Sequence, residues 1–291
     1  MVFPNQARAA RVAASKETVR QGWVGRVHAR GKWHAKNVIH TRALTTAILE
    51  AAGIRPGMNV LDVAAGTGDP AIALARLVGT RGHVTVTDLV SEMLEAAEGE
   101  AKRYKLTNVS FKQADAESLP FDDNCFDAVT CRLGIMFFPH PVQALREMRR
   151  ILKPGGRAAL VTWGPPARNL RTTTTLAVLR KFLERQASQR NLRKSDGNRF
   201  AFAGTLAEAL GEAGFRKPWA ESRTVQIPWP GSPEDCWERV RDASGGAQLL
   251  GQIAEEDRAE AVRKILTALA VYHDGKQVSL QVDIVVGGGI S

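Results

Sequence analysis

Val60-Leu61-Asp62-Val63-Ala64-Ala65-Gly66-Thr67-Gly68-Asp69-Pro70 decides how this chain of 291 residues is read. An apolar, β-type run ends in an acidic residue, passes through two glycines and meets a proline ahead of an amphipathic stretch, the pattern of a strand turning into a helix. Gly66, Gly68 and Ala71 satisfy the G-x-G-x-x-G/A spacing of a dinucleotide-binding turn. Two carboxylates argue against a pyrophosphate, which needs free backbone N–H groups and the unobstructed positive end of a helix. Asp69 occupies that end and, with Pro70 at the first helical position, is placed to cap the helix. Asp62 adds a second negative charge to the same small space. The loop therefore favours a ligand group that carries an ammonium, and its glycines let that group approach the backbone.

Outward from the loop, short β-type runs alternate with longer amphipathic stretches, the signature of βαβ units and a parallel sheet. Strands are expected near 58–63, 83–88, 109–114, 126–131 and 157–163, and helices near 70–78, 91–104 and 141–152, the last ended by Lys153-Pro154-Gly155-Gly156. The fold class is α/β, a doubly wound and mostly parallel sheet whose strand ends share one ligand-binding rim. Further on, helices are expected at 171–187, 204–214, 233–243 and 255–272, with strands near 219–227 and 278–286, which brings the sheet to seven strands. The domain reading is a helical N-terminal cap at 1–50, a core at 51–229, a helical insertion at 230–275 that covers the rim, and a last strand and tail at 276–291. The Gly287-Gly288-Gly289 tail is expected to fray.

Two further acidic residues fall at the rim. His83-Val84-Thr85-Val86-Thr87-Asp88 ends in a carboxylate able to accept both hydroxyls of a ribose. Val109-Ser110-Phe111-Lys112-Gln113-Ala114 is followed by Asp115-Ala116, suited to an exocyclic amino group. Ammonium, ribose and adenine, in that order along three consecutive strand ends, describe S-adenosylmethionine.

Residues 58–163 resemble the class I S-adenosylmethionine-dependent methyltransferases, in particular the type that includes the ubiquinone/menaquinone-biosynthesis C-methyltransferases. The resemblance is carried by the loop 60–69, Thr87-Asp88, Ala114-Asp115-Ala116-Glu117-Ser118-Leu119-Pro120-Phe121, Phe126-Asp127 and Leu152-Lys153-Pro154-Gly155-Gly156. It implies that Asp62 and the backbone of Ala64, Gly66, Thr67 and Gly68 hold the methionine end of the cofactor. It also implies Asp88, with Leu89 beside it, at the ribose, Asp115 and Ala116 at the adenine, and Arg132 near the sulfonium. Two departures stand out. Ala64 replaces the usual first glycine, which suits a backbone of negative φ. Gly134-Ile135-Met136-Phe137 stands where the quinone enzymes carry Gly-Leu-Arg-Asn.

The expected activity is methyl transfer to an O, N or C atom of a small aromatic or hydrophobic metabolite. Such a reaction depends on positioning and exclusion of water, with a general base needed only where the acceptor atom loses a proton. His34, beside Trp33 in the cap, and His140, after the fourth strand, are the candidates for that base. Trp23, Trp33, Trp219, Trp229 and Trp237 lie outside the core motifs and read as packing beneath the cap, or as faces for a flat acceptor. Cys125, Cys131 and Cys236 follow no metal-ligand spacing and form no disulfide framework, so no metal is expected and a reducing cytoplasm fits. Neither a membrane helix nor a secretory signal is expected. The net charge of +10 is uneven: residues 1–42 hold nine Lys/Arg against Glu17, and residues 166–200 hold nine against Glu184 and Asp196. These segments read as solvated faces rather than a nucleic-acid track, because no base-stacking aromatics interleave with the run at 180–199. An RNA methyltransferase and a non-catalytic cofactor-binding protein are the rival readings.

Overall fold

The computed structural model describes residue 14 and residues 16–186 and 198–291. Arg190, Arg193 and Lys194 of the second basic segment lie outside the described residues. Seven strands form one sheet: β1 (Asn59–Val63), β2 (His83–Asp88), β3 (Val109–Gln113), β4 (Phe126–Arg132), β5 (Leu152–Trp163), β6 (Arg216–Pro230) and β7 (Gln277–Ile290). Their order is β3-β2-β1-β4-β5-β7-β6. β1 to β5 run parallel, and β7 is antiparallel between β5 and β6. Strand order reverses between β1 and β4, where the following connections leave on opposite sides and open a crevice at the carboxyl ends.

The helices that frame this sheet are α1 (Val27–Lys32), α2 (His34–His40), α3 (Arg42–Ala52), α4 (Ala71–Val78), α5 (Ser91–Arg103), α6 (Pro141–Ile151), α7 (Ala177–Gln186), α8 (Ala203–Glu212), α9 (Pro233–Ala243), α10 (Gly246–Gln252) and α11 (Glu255–Ala270). Residues 16–24 are also helical. Alternation along the strands sends side chains to two cores. Val60, Val84, Val86, Ala128, Ala159 and Val161 pack on one face with Leu44 and Ile48 of α3 and Leu74 of α4. Leu61, Val63, Val129, Cys131, Ala158 and Leu160 pack on the other with Leu145 and Met148 of α6 and Leu206 and Leu210 of α8. Among the described residues, no helix is long and apolar enough to cross a membrane.

Several elements differ from the sequence expectation. α3, read as part of the cap, packs on the sheet with Leu44, Ala47, Ile48 and Ala52 buried. Segment 171–187 opens with a π-helical turn, Thr172–Leu176, before α7. The short helix α10 carried no distinct periodicity of its own. Lys153-Pro154-Gly155-Gly156 does not merely end α6. It lies inside β5, and the register against β4 shifts between Phe126 and Ala128 to absorb it.

The largest correction concerns the C-terminus. Gly287-Gly288-Gly289 does not fray; it is central β strand, paired with β5 on one side and β6 on the other. A Cβ at Gly287 would come within 2.8 Å of Leu206 and of the Trp219 carbonyl, and one at Gly289 within 2.7 Å of Phe215. At Gly288 it would overlap the Ala158 carbonyl outright. The neighbours fill the space that three side chains would need.

β6 and β7 also run past the end of β5. Trp163, the last residue of β5, pairs with Ile284, while 277–283 continue along β6 as far as Pro230. Seven residues of two-stranded ribbon project about 24 Å beyond the rim at a rise of about 3.4 Å per residue. The insertion 231–276 begins and ends at the tip of that ribbon, so it is raised over the strand ends. Gly288→Ala should lower the midpoint of urea unfolding by an amount equivalent to about 1–3 kcal/mol with an unchanged m-value; an unaltered midpoint would show that the sheet can relax around the methyl group.

Candidate active site

The turn after β1 depends on three left-handed residues, Ala64 (φ 54°), Gly66 (φ 57°) and Gly68 (φ 96°). The negative φ expected of Ala64 is therefore incorrect. A methyl group survives there because the facing residue has none: a Cβ at Gly134 would lie 2.6 Å from that of Ala64. The space that a glycine at 64 would supply comes instead from Gly134. Ala65 N–H donates to the Thr87 carbonyl at 3.0 Å, which ties the turn to β2. Gly68 lies against Ala97 of α5, and around Gly66 a Cβ would meet nothing within 4 Å. The first glycine thus faces open space and the second allows close packing.

Asp69 does not cap α4. The helix begins at Ala71 with Pro70 at its N-cap position and no side-chain cap. The Asp69 carboxylate instead accepts from Thr41 Oγ1 at 2.8 Å and Thr45 Oγ1 at 3.2 Å, and pairs with Arg132 Nη1 at 2.8 Å. Arg132 also donates to the Asp69 carbonyl at 2.6 Å and to Thr45 Oγ1 at 3.0 Å. Its charge is matched, so Asp69 offers little net attraction to a cation. Asp62 is fully buried, accepts from Thr130 Oγ1 at 2.7 Å and leaves Oδ2 without a partner. Burial pushes its carboxyl up to about 7, opposed by the Thr130 hydrogen bond and by Arg132. The pair of charges read from the loop is thus one paired carboxylate and one whose burial favours its protonated form.

A cavity of about 1250 Å³ opens over the rim. Ala64, Gly66, Thr67, Asp88, Leu89, Asp115, Ala116, Arg132 and His34, all singled out in the sequence, line it; Asp62, Gly68 and His140 do not. Asp88 is fixed by backbone donors, Gly66 N–H to Oδ2 at 2.9 Å and Val90 N–H to Oδ1 at 3.0 Å. Burial raises its pKa despite those bonds. Asp115 accepts from Glu117 N–H and, at 2.5 Å, from Lys16 Nζ on helix 16–24, which also meets Glu117 at 2.6 Å. His140 completes that cluster, with Nδ1 3.1 Å from Glu117. His34 is buried, with Nδ1 3.4 Å from Thr67 Oγ1 and Nε2 3.5 Å from Glu100. Cys131 is fully buried and its thiol is driven up to about 12, an inert core residue as expected.

The cap and the insertion close over this space together. Trp33 Nε1 and Lys32 Nζ reach Asp242 of α9 at 3.3 and 3.2 Å, and Arg239 Nε donates to Asn37 at 3.1 Å. Buried Trp229 lies edge-on to both Trp33 and His40. Trp33, Trp229 and Trp237 are therefore packing residues, while Trp23 lines the cavity with its ring against Phe137. The cavity also receives Arg26, Arg30, Arg171 and Arg239, which no sequence motif distinguished. Burial, then mutual repulsion among the guanidinium groups, lowers Arg30 and Arg239 to about 10; burial likewise brings Arg171 to about 10, with Arg30 contributing.

The sequence pattern of the ubiE/COQ5 methyltransferase family matches residues 38–225, from α2 through most of β6. This chain belongs to the ubiE/COQ5 methyltransferase family. A ubiquinone/menaquinone biosynthesis C-methyltransferase UbiE from Pseudomonas aeruginosa PAO1 is 44% identical over 123 residues, covering 42% of this chain and 48% of that protein. Its counterpart from Pseudomonas putida GB-1 is 43% identical over the same length. The aligned region spans about half the length of these curated relatives. Among solved structures, a methyltransferase of Haloferax volcanii, in complex with its Trm112 activator, covers 94% of this chain and 96% of its own at TM-score 0.53 and 20% identity. The YcgJ protein of Bacillus subtilis covers 86% and 98% at TM-score 0.51 and 21% identity. These likenesses establish the fold, with seven strands and flanking helices.

The family's rim carries a pH dependence of its own here. With its folded pKa raised from the ordinary carboxylate range to about 7, Asp62 holds an extra proton in the folded chain between about pH 4 and pH 7. Stability contributed by this group is present below that window and is lost as pH rises through it. Asp62→Asn should therefore flatten the decline in unfolding free energy between about pH 4.5 and 7.5; identical slopes in the two proteins would exclude Asp62 as its source.

Proposed function

We propose that this protein transfers the methyl group of S-adenosylmethionine to a small aromatic or hydrophobic acceptor held beneath the cap and the insertion. The observation that carries the reading is the coincidence, on one cavity wall, of the open left-handed turn at Gly66 with Asp88 and Asp115 at two successive strand ends. Those groups fit the cofactor: the turn can lie against its methionine portion, Asp88 can take ribose hydroxyls with lone pairs not used by Gly66 and Val90, and Asp115 can accept from the adenine amine. When bound, the cofactor supplies an electrophilic methyl on a sulfonium.

The chain's own part is positioning. Phe137, Phe138, Trp163, Leu176 and Leu249 give the cavity an apolar side suited to a flat acceptor, and the cap and insertion exclude water from it. The relatives named as quinone C-methyltransferases favour an aromatic carbon as the site of attack. His34 is best assigned as a positioning residue, since its ring nitrogens address Thr67 of the turn and Glu100 of α5. His140 belongs with Lys16 and Glu117 beside the adenine position, away from any proton that a bound acceptor would release.

Calorimetry should give one S-adenosylhomocysteine per chain, with affinity reduced 10- to 100-fold in Asp88→Ala, since hydrogen bonds to a charged group contribute about 1.5–3 kcal/mol; wild-type affinity in a folded variant would remove Asp88 from the ribose. Lys16 occupies Asp115 in the ligand-free protein, so helix 16–24 has a partner that the adenine would displace. Hydrogen exchange at 16–40 and 233–252 should slow when S-adenosylhomocysteine is added, whereas equal protection with and without it would identify both segments as static packing.

A further inference from the structure

Resting on the methyltransferase reading above, we propose that Arg171 and Arg239, with Arg30 beside them, form an oxyanion pocket, so that the methyl acceptor carries a carboxylate or phosphate group. The three arginines come from three separate parts of the chain: the segment after β5, α9 of the insertion, and α1 of the cap. All line the same cavity. Nothing local in sequence requires them to meet, and bringing like charges together in a desolvated place costs free energy unless an anion joins them.

Among the described residues no carboxylate pairs with any of the three. Arg239 donates only to neutral oxygens, Asn37 Oδ1 at 3.1 Å and Ser244 Oγ at 3.3 Å. Arg171 lies over the Trp163 ring at 4.6 Å and Arg30 over Trp23 at 4.9 Å. The Nε atoms of Arg30 and Arg171 are buried without a hydrogen-bond partner. The nearest thiol, Cys236, is itself driven up to about 11 by burial and stays neutral at neutral pH. Of the other groups at the cavity, Asp69 is paired with Arg132, Asp115 and Glu117 with Lys16, and Glu184 is exposed. Asp88 reaches Arg30 electrostatically but neither Arg171 nor Arg239. Arg30 and Arg171 thus keep their planar donor forks, and Arg239 its remaining N–H groups, for a ligand, and such donors match carboxylate and phosphate oxygens.

The direction of these side chains also separates a small anion from RNA. Arg26 and Arg30 of the basic N-terminal segment, and Arg171 of the second one, turn into the cavity instead of forming an outward track. A polynucleotide reads charge along an exposed groove. An isolated anionic group can enter a covered one.

The test titrates the S-adenosylhomocysteine-loaded protein, and separately the protein without it, with benzoate, phenyl phosphate and neutral benzyl alcohol. At least one anion should bind 10-fold or more tightly than benzyl alcohol, and the stronger of the two identifies carboxylate or phosphate as the group recognised. The double variant Arg171→Met with Arg239→Met should lose at least 10-fold in anion affinity while its affinities for benzyl alcohol and S-adenosylhomocysteine stay within about 2-fold of the wild type. Its melting temperature without ligand should equal or exceed that of the wild type, because uncompensated charges have been removed. The proposal fails if the alcohol binds as well as both anions, if the variant keeps its anion affinity or is less thermostable, or if S-adenosylhomocysteine is weakened 10-fold, which would assign the arginines to the cofactor's own carboxylate. It fails equally if an RNA 12-mer binds more tightly than both anions and the variant abolishes that binding. Absence of S-adenosylhomocysteine binding in the wild type would instead sink the cofactor reading, while the titration without it still decides the anion pocket.

Discussion

The Arg132–Asp69 pair is the constraint on which the rest of the site depends. Arg132 closes β4, Asp69 closes the turn after β1, and the two threonines that join them, Thr41 and Thr45, belong to the junction of α2 and α3. One ion pair with small residual exposure on both sides therefore fixes three elements at the point where strand order reverses. Removing one member of a buried pair strands the other, at a cost of about 3–5 kcal/mol, so the pair specifies geometry more firmly than its net contribution to stability implies. With the turn held from below, Ala64 can stay at positive φ and Gly66 N–H can stay directed at Asp88.

A second constraint comes from the antiparallel end of the sheet. β7 can enter between β5 and β6 because residues 287–289 carry no side chains, since the Ala158 carbonyl, Leu206 and Phe215 already occupy the room. Once inserted, it gives β6 a partner along thirteen paired positions and carries the ribbon past the rim. The insertion is then delivered to the cap at a fixed height, where Trp229, Trp33 and His40 interlock. Buried His40 is held far below its ordinary pKa by that burial and by Arg239 and Arg171, so the interlock stays neutral.

What the sequence makes legible follows from the range of the interactions involved. The five parallel strands, the helices between them and the rim carboxylates Asp88 and Asp115 are recorded in local periodicity and in motifs whose spacing is set by one turn of chain. Asp69 was misread because the capping rule is local, whereas its partners Thr41, Thr45 and Arg132 lie 24 to 63 residues away. Ala64 was misread for the same reason: the room for its methyl group is left by the missing Cβ of Gly134, distant in sequence. Three terminal glycines look like a loose tail by composition, and only the strands on both sides reveal that space, not flexibility, selects them. The arginine group was the least legible. Arg30 and Arg171 sit in unremarkable basic segments and Arg239 in the acid-rich helix α9, so the signal exists only as a convergence in space.

That convergence changes the meaning of the chain's net charge of +10. Read along the sequence, the excess looks like solvated helix faces, the ordinary fate of charge runs. In the folded protein part of it is turned into the cavity, where burial more than any neighbouring charge lowers Arg30, Arg171 and Arg239 to about 10. A fold that needed only solubility would leave such side chains outside, where their charge costs nothing. A fold that needed only packing would put leucine or methionine in their place. Keeping them inside, supported by aromatic faces and amide oxygens but not by carboxylates, maintains a positive field within a low-dielectric enclosure, where it acts far more strongly on a charged ligand than the same groups would at the surface. The cap and insertion that create the enclosure also supply two of the three arginines, so covering the rim and charging it are one structural event.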